Sequence, residues 1–77
     1  MKVEILSPEA SLFDGDASYV YLPGADGSLG ILDNHAPLIT ALKAGEVKLT
    51  TQDGEQKFEV KGGTVEVLNN RVVILAE

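Results

Sequence analysis

Two tight-turn signals, Asp53-Gly54 and Asn69-Asn70, sit in a stretch where apolar residues recur at every second position. A period of two belongs to a strand that buries one face. Centring a hairpin turn on Asp53-Gly54, which tolerates the positive φ of the primed turns, sets Leu49 opposite Phe58 and Val47 opposite Val60. The same register sets Lys48 opposite Glu59 and Glu46 opposite Lys61, so one face is apolar and the other carries matched charges. A slip by one residue would scramble both faces. Asn69-Asn70 predicts a second hairpin, because asparagine accepts the left-handed conformation, and it sets Val67 opposite Val72 and Val65 opposite Ile74. Gly62-Gly63, between the two, predicts a bend or bulge. The last strand, Val72-Val73-Ile74-Leu75-Ala76, is apolar on both faces, whereas a half-buried strand should be polar on one. Val73 and Leu75 therefore need cover from another element or another chain.

The first half is less regular. Lys2 to Leu6 alternates as a strand, Ser7-Pro8-Glu9 and Asp14-Gly15-Asp16 read as turns, and residues 17–22 are β-prone until Pro23-Gly24. Ala25-Asp26-Gly27 forms a loop tip and Leu29 to Leu32 a short strand. Residues 36–44 are ambiguous: Leu38, Ile39 and Leu42 have helical spacing, Asn34 suits an N-cap and Gly45 a C′ position. Short strands punctuated by turns favour a β-sandwich or barrel.

With 77 residues the chain is one small domain, and it has no cysteine. Neither a disulfide nor a thiolate metal site can staple it, and a lone histidine cannot build a structural zinc site. The net charge is −6, and residues 1–42 hold a single base, Lys2, against six acids. No basic stripe is present, which argues against nucleic acid; on charge alone the acidic half reads first as a solvated acidic surface, with a basic partner as the alternative. Met1 opens a polar, strand-like start. No leader segment or bilayer-spanning run is expected.

Catalytic patterns are weak. Gly24, Gly27 and Gly30 lack the Lys-Ser/Thr step of a phosphate loop and the tighter glycine pair of a dinucleotide fingerprint, so they read as turn glycines. His35, with Asp33 nearby, has no nucleophile to serve and reads as a structural or interface residue. Asp14-Gly15-Asp16 lacks the further ligands of a calcium loop. Lys43, in Leu42-Lys43-Ala44-Gly45, raises one alternative: a small acidic lipoyl or biotinyl carrier domain modified on that lysine. Its flanks do not form a clean hairpin, and an ordinary surface lysine fits better.

The run Gly27-Ser28-Leu29-Gly30-Ile31-Leu32-Asp33-Asn34-His35-Ala36-Pro37-Leu38 resembles the glycine loop and His-Ala-Pro-Leu signature of the epsilon subunit of rotary F-type ATP synthases. The resemblance continues through Thr40-Ala41-Leu42-Lys43-Ala44-Gly45, Lys61-Gly62-Gly63-Thr64-Val65-Glu66-Val67 and Asn70-Arg71-Val72-Val73-Ile74-Leu75-Ala76-Glu77. It departs at Asp33-Asn34, where the family has Pro-Gly, at Ser28, where it has Glu, and at Ala44, where it has Pro. It implies that residues 1–77 are the N-terminal β-sandwich domain, all-β with about ten short strands, which overrules a helix at 36–44. It implies a noncatalytic rotor subunit without cofactor, joining the gamma subunit to the membrane c-ring and coupling proton- or sodium-driven rotation to ATP synthesis. The expected location is peripheral, at the cytoplasmic face of a bacterial plasma membrane. The resemblance stops at Glu77, before the family's C-terminal helical hairpin, so helical inhibition and ATP binding are not carried over. On this reading the gamma-facing candidates are His35, Thr40, Leu42, Val73 and Leu75. The ring-facing candidates are Asp26, Gly27, Ser28, Leu29 and Asp33.

Overall fold

The computed structural model describes residues 1–77. It has seven strands: β1 (Lys2–Leu6), β2 (Ser11–Asp16), β3 (Tyr19–Leu22), β4 (Leu29–Leu32), β5 (Leu38–Thr51), β6 (Gly54–Leu68) and β7 (Arg71–Ala76). They form one mixed sheet in the order β2-β1-β7-β6-β5-β3-β4. All neighbours are antiparallel except β1 and β7, which are parallel. The count is seven rather than about ten because β5 and β6 run for 14 and 15 residues. Helical spacing at 36–44 gives way to β5, since residues 38–43 find a continuous ladder on residues 62–67 of β6. The turn expected at Asp14-Gly15-Asp16 is also overturned: these residues lie inside β2, opposite Glu4, Val3 and Lys2. A ladder with β1 outweighs their local turn propensity.

The β5–β6 hairpin is the backbone of the molecule. Its base, residues 38–43 with 62–67, adjoins β7, and its tip, residues 48–50, adjoins β3. The buried positions change parity between them, from Leu42 to Val47 on β5 and from Val60 to Val65 on β6. The register itself does not change across this step; only the pair Ala44 and Lys61 is missing from the ladder. Both strands therefore turn one corner together and pass from one layer of the sandwich to the other. Gly62 (φ 149°) and Gly63 (φ 132°) supply the backbone for it. They bend the strand, as the sequence predicts, without ending it.

The tip register differs from expectation by two residues. Thr51 closes the hairpin against Gly54, so Gln52 and Asp53 form the turn, and Val47 faces Phe58 while Leu49 faces Gln56. Within residues 51–54 only Gly54 has positive φ, at 102°. The Thr51 hydroxyl fixes this choice: it accepts the Asp53 N–H at 3.1 Å and donates to the Gly54 carbonyl at 2.9 Å. A two-residue shift preserves the faces, so the apolar side stays inward as expected while the charge pairing changes. Lys48 faces Lys57 and Glu46 faces Glu59, like charges that are destabilising when directly opposed. The second hairpin forms as expected, with Val67 on Val72 and Val65 on Ile74, through Asn69 (φ 50°) and Asn70 (φ 60°).

Fifteen buried apolar residues from both layers form one core, and no polar side chain is buried with them. Residues after β3 seal one side: the Lys43 N–H donates to the Pro23 carbonyl and the Ala25 N–H to the Ala41 carbonyl, both at 2.9 Å. A Cβ on Gly63 would collide with the Leu75 carbonyl oxygen of the adjoining strand, whereas one on Gly54 would meet open space. Gly63→Ala should therefore cost about 3 kcal/mol or more in urea denaturation, and Gly54→Ala, where φ alone is strained, only about 1–2 kcal/mol.

Candidate interaction surfaces

Cross-strand register sorts the outer residues of the first layer into rows. One row runs Leu6, Leu75, Thr64, Ala41, and the next runs Glu4, Val73, Glu66, Ile39. A third carries Lys2, Arg71 and Leu68. Ile39 is 74% exposed and Leu75 51%, and Val73 is half-buried. Apolar side chains thus stand on β7 and β5 of this outer face, with Thr64 and Glu66 between them, while its far end is charged. There Arg71 bonds Glu4 at 3.0 Å and Lys2 bonds Asp14 at 2.8 Å. The neighbouring Asp14 carboxylate holds the Lys2 ammonium above its ordinary pKa. The cover that Val73 and Leu75 require is not supplied within the chain.

The other expected members of that group lie elsewhere. Leu42 is 6% exposed and belongs to the core, and Thr40 shares its inward parity, opposite Val65. His35 sits in the β4–β5 turn, with its Nδ1 2.8 Å from the Ala36 carbonyl. Sequence reasoning missed Ile39, whose strand alternation was hidden by the helical spacing of residues 38–42.

The loop before β4 is compact. The Gly27 N–H donates to the Gly24 carbonyl at 3.1 Å, leaving Ala25 and Asp26 at the tip. Gly27 takes φ 138°. The Ser28 hydroxyl lies 2.8 Å from the Tyr21 hydroxyl, which ties the loop to β3. Asp26 is exposed and makes no ion pair. Asp33 does not join this group. It lies at the opposite end of β4, where its Oδ1 accepts a bond of 2.7 Å from the Met1 ammonium. There the Asn34 N–H donates to Asn70 Oδ1 at 2.8 Å and ties the β4–β5 turn to the β6–β7 turn.

The chemical alternatives find no support in the geometry. Asp33 is bonded to Met1 rather than to His35. Lys43 lies inside β5 opposite Gly62, not on the exposed hairpin tip that a carrier domain requires. No group of three or more His, Asp or Glu side chains is arranged to hold a metal ion. No helix is long and apolar enough to cross a membrane.

The fold is a helix-free β-sandwich whose first layer carries exposed apolar side chains, among them Ile39 and Leu75. The chain belongs to the family described as the ATP synthase delta/epsilon chain, beta-sandwich domain, whose model matches residues 1–77. It is similar to the ATP synthase epsilon chain of Desulforamulus reducens, with 45% identity over 76 residues covering 99% of this chain and 58% of that protein. It is also similar to the ATP synthase epsilon chain of Dichelobacter nodosus, with 46% identity over 77 residues covering 99% and 54%. The chain therefore spans a little over half the length of these relatives. Two cryo-EM structures share the fold. A chain of the Tetrahymena thermophila mitochondrial ATP synthase central stalk and c-ring matches with TM-score 0.83 and 22% identity, covering 99% of this chain and 62% of that one. A chain of the Euglena gracilis mitochondrial ATP synthase, in its OSCP/F1/c-ring structure, matches with TM-score 0.88 and 16% identity, covering 96% and 48%.

Inner and outer positions of β5 should behave oppositely in chemical denaturation. Leu42→Ala should cost about 2–4 kcal/mol, while Ile39→Thr, which keeps a β-branched side chain on the surface, should stay within about 0.5 kcal/mol.

Proposed function

We propose that residues 1–77 are the sandwich portion of a noncatalytic rotor subunit that links the gamma subunit to the membrane c-ring of an F-type ATP synthase. Ion-driven rotation of the ring passes through this domain to gamma and so to ATP synthesis. The observation that carries the reading is the uncovered apolar face of Ile39, Val73 and Leu75 on a domain of this family. That face is the gamma contact, with Glu66 between Val73 and Ile39 and Arg71 at its charged end. Thr40 and Leu42 act beneath it by packing, and His35 holds its edge. The tip of residues 24–29 is the ring contact, where Asp26 offers a free carboxylate to a basic ring loop. Asp33 instead serves the domain, by clamping Met1. Association with the membrane is indirect, through the complex, at the cytoplasmic face of a bacterial plasma membrane.

Fully burying a side chain such as Ile39 or Val73 contributes about 1.5–3 kcal/mol. An aspartate placed there leaves an unpaired charge in the interface. Val73→Asp should weaken binding to gamma roughly thirty- to hundredfold in a titration while the domain stays folded. If gamma binds the variant unchanged, the face is misassigned; if gamma fails to bind the unaltered chain, the rotor reading itself is wrong.

Asp26→Lys should slow association with a detergent-solubilised c-ring at low salt and weaken its salt dependence, with an equilibrium effect of only about 0–1 kcal/mol. An unchanged salt dependence removes Asp26 from the ring contact.

A further inference from the structure

The sheet leaves two of its strand edges facing one another across an open seam. β2 pairs only with β1, and residues 54–60 of β6 pair only with β5. Between them lies a groove of about 620 Å³ whose lining includes Phe13, Gly15, Ala17 and Gln56. Phe13 is its one aromatic lining residue; the half-buried Phe13 ring folds over Gly15 and meets the Phe58 ring edge to face with centroids 6.0 Å apart. At one end it is shut by the Ser18 N–H, which donates to the Thr50 carbonyl at 2.8 Å. Its rim carries Asp14, Asp16, Asp33 and Asp53 and no lysine or arginine. Asp14 is paired with Lys2 and Asp33 with the Met1 ammonium, which leaves Asp16 and Asp53 without an ion partner.

We infer that this seam is a docking site for an extended segment that alternates apolar and basic residues and adds as a strand to the free edge of β2. The pleat sets the chemistry. On β2, Phe13 and Gly15 point inward and Asp14 and Asp16 outward, as their pairing with Ile5, Val3, Glu4 and Lys2 fixes. A strand laid beside β2 has the same alternation. Its inward side chains would cover the exposed edge of Phe13, and its outward ones would stand across from Asp14 and Asp16. Main-chain hydrogen bonds supply affinity in such strand addition, and the alternating side chains supply selectivity. A second copy of this chain does not fit, because two β2 edges would bring Asp14 and Asp16 against their own kind. This inference is independent of the stalk reading, since the seam lies along β2 and β6 rather than on the Ile39, Val73 and Leu75 face.

The probe is a synthetic peptide of about seven residues alternating valine and lysine, long enough to span the six-residue β2, with a valine–glutamate peptide as its control. Added to the isotopically labelled 77-residue chain, the lysine peptide should shift the amide signals of residues 13–17 and 56–58 and leave those of Ile39, Val73 and Leu75 in place. Asp16→Asn should weaken that binding roughly threefold or more, and the glutamate peptide should not bind. Asp16 is exposed and makes no ion pair, so this variant keeps its fold; unchanged signals at Val20 and Ile74 verify that. Shifts centred on the Ile39 face, equal binding of both peptides, or affinity indifferent to Asp16→Asn would each overturn the proposal.

Discussion

The structure depends on one long hairpin that turns a corner without losing register. β5 and β6 keep the same pairing from Leu38 on Val67 to Thr51 on Gly54, yet the side chains that meet the core change parity midway. A sheet of seven short strands would bury little of its surface in a chain of this length. Two strands long enough to serve both layers let one core form beneath a single continuous sheet. The cost falls on the corner, where Gly62 and Gly63 adopt φ values closed to other residues and Gly63 passes too close to the Leu75 carbonyl to carry a side chain. The strand β7 can lie against β6 there only because that side chain is absent.

The corner also decides what the outside of the molecule offers. Because parity inverts, the outward residues of the first layer include Ile39, Ala41, Val73 and Leu75, with Glu4, Thr64 and Glu66 beside them, while those of the second are Lys48, Thr50, Lys57 and Glu59. The second layer is largely polar and charged along the hairpin, though Leu32 and Tyr19 remain exposed beside it. The first layer carries apolar side chains on β7 and β5, with Thr64 and Glu66 of β6 between them. A sequence with Val and Leu on the solvent side of its last strand has accepted an apolar surface that folding alone does not require.

Much of this was legible in the residues, for local reasons. Both hairpins, the inward faces of their strands and the need to cover Val73 and Leu75 follow from a period of two and from turn chemistry confined to a few neighbours. The tip register was missed because Asp53-Gly54 is compatible with two turns, and the choice between them rests on hydrogen bonds of the Thr51 hydroxyl. Asp14-Gly15-Asp16 was misread as a turn because its ladder partner, β1, lies ten or more residues away along the chain and leaves no local trace. The candidate surface was only half legible. Thr40 and Leu42 are a few residues from Ile39, but which of them faces out depends on the parity on this side of the corner, a tertiary fact. Asp26 and Asp33 look equivalent in sequence, flanking one glycine-rich strand, and the four-residue β4 sets them at opposite ends of the sandwich.

That separation divides the acidic half into parts with different work. Asp33 is consumed by the Met1 ammonium at 2.7 Å and Asp14 by Lys2 at 2.8 Å, exposed pairs that orient the chain more than they stabilise it. Asp26 and Asp16 are left without ionic partners, one at a loop tip held by Gly24 and Gly27 and the other on a bare strand edge. The surplus negative charge of residues 1–42 is therefore presented at two places that the same sheet holds far apart in topology, across β4 at one edge and β2 at the other. A long-range field from the net charge of −6 can draw in a basic partner from either side. What distinguishes the two is backbone: the loop tip has satisfied its own turn and can offer only a side chain, whereas the β2 edge can offer a ladder.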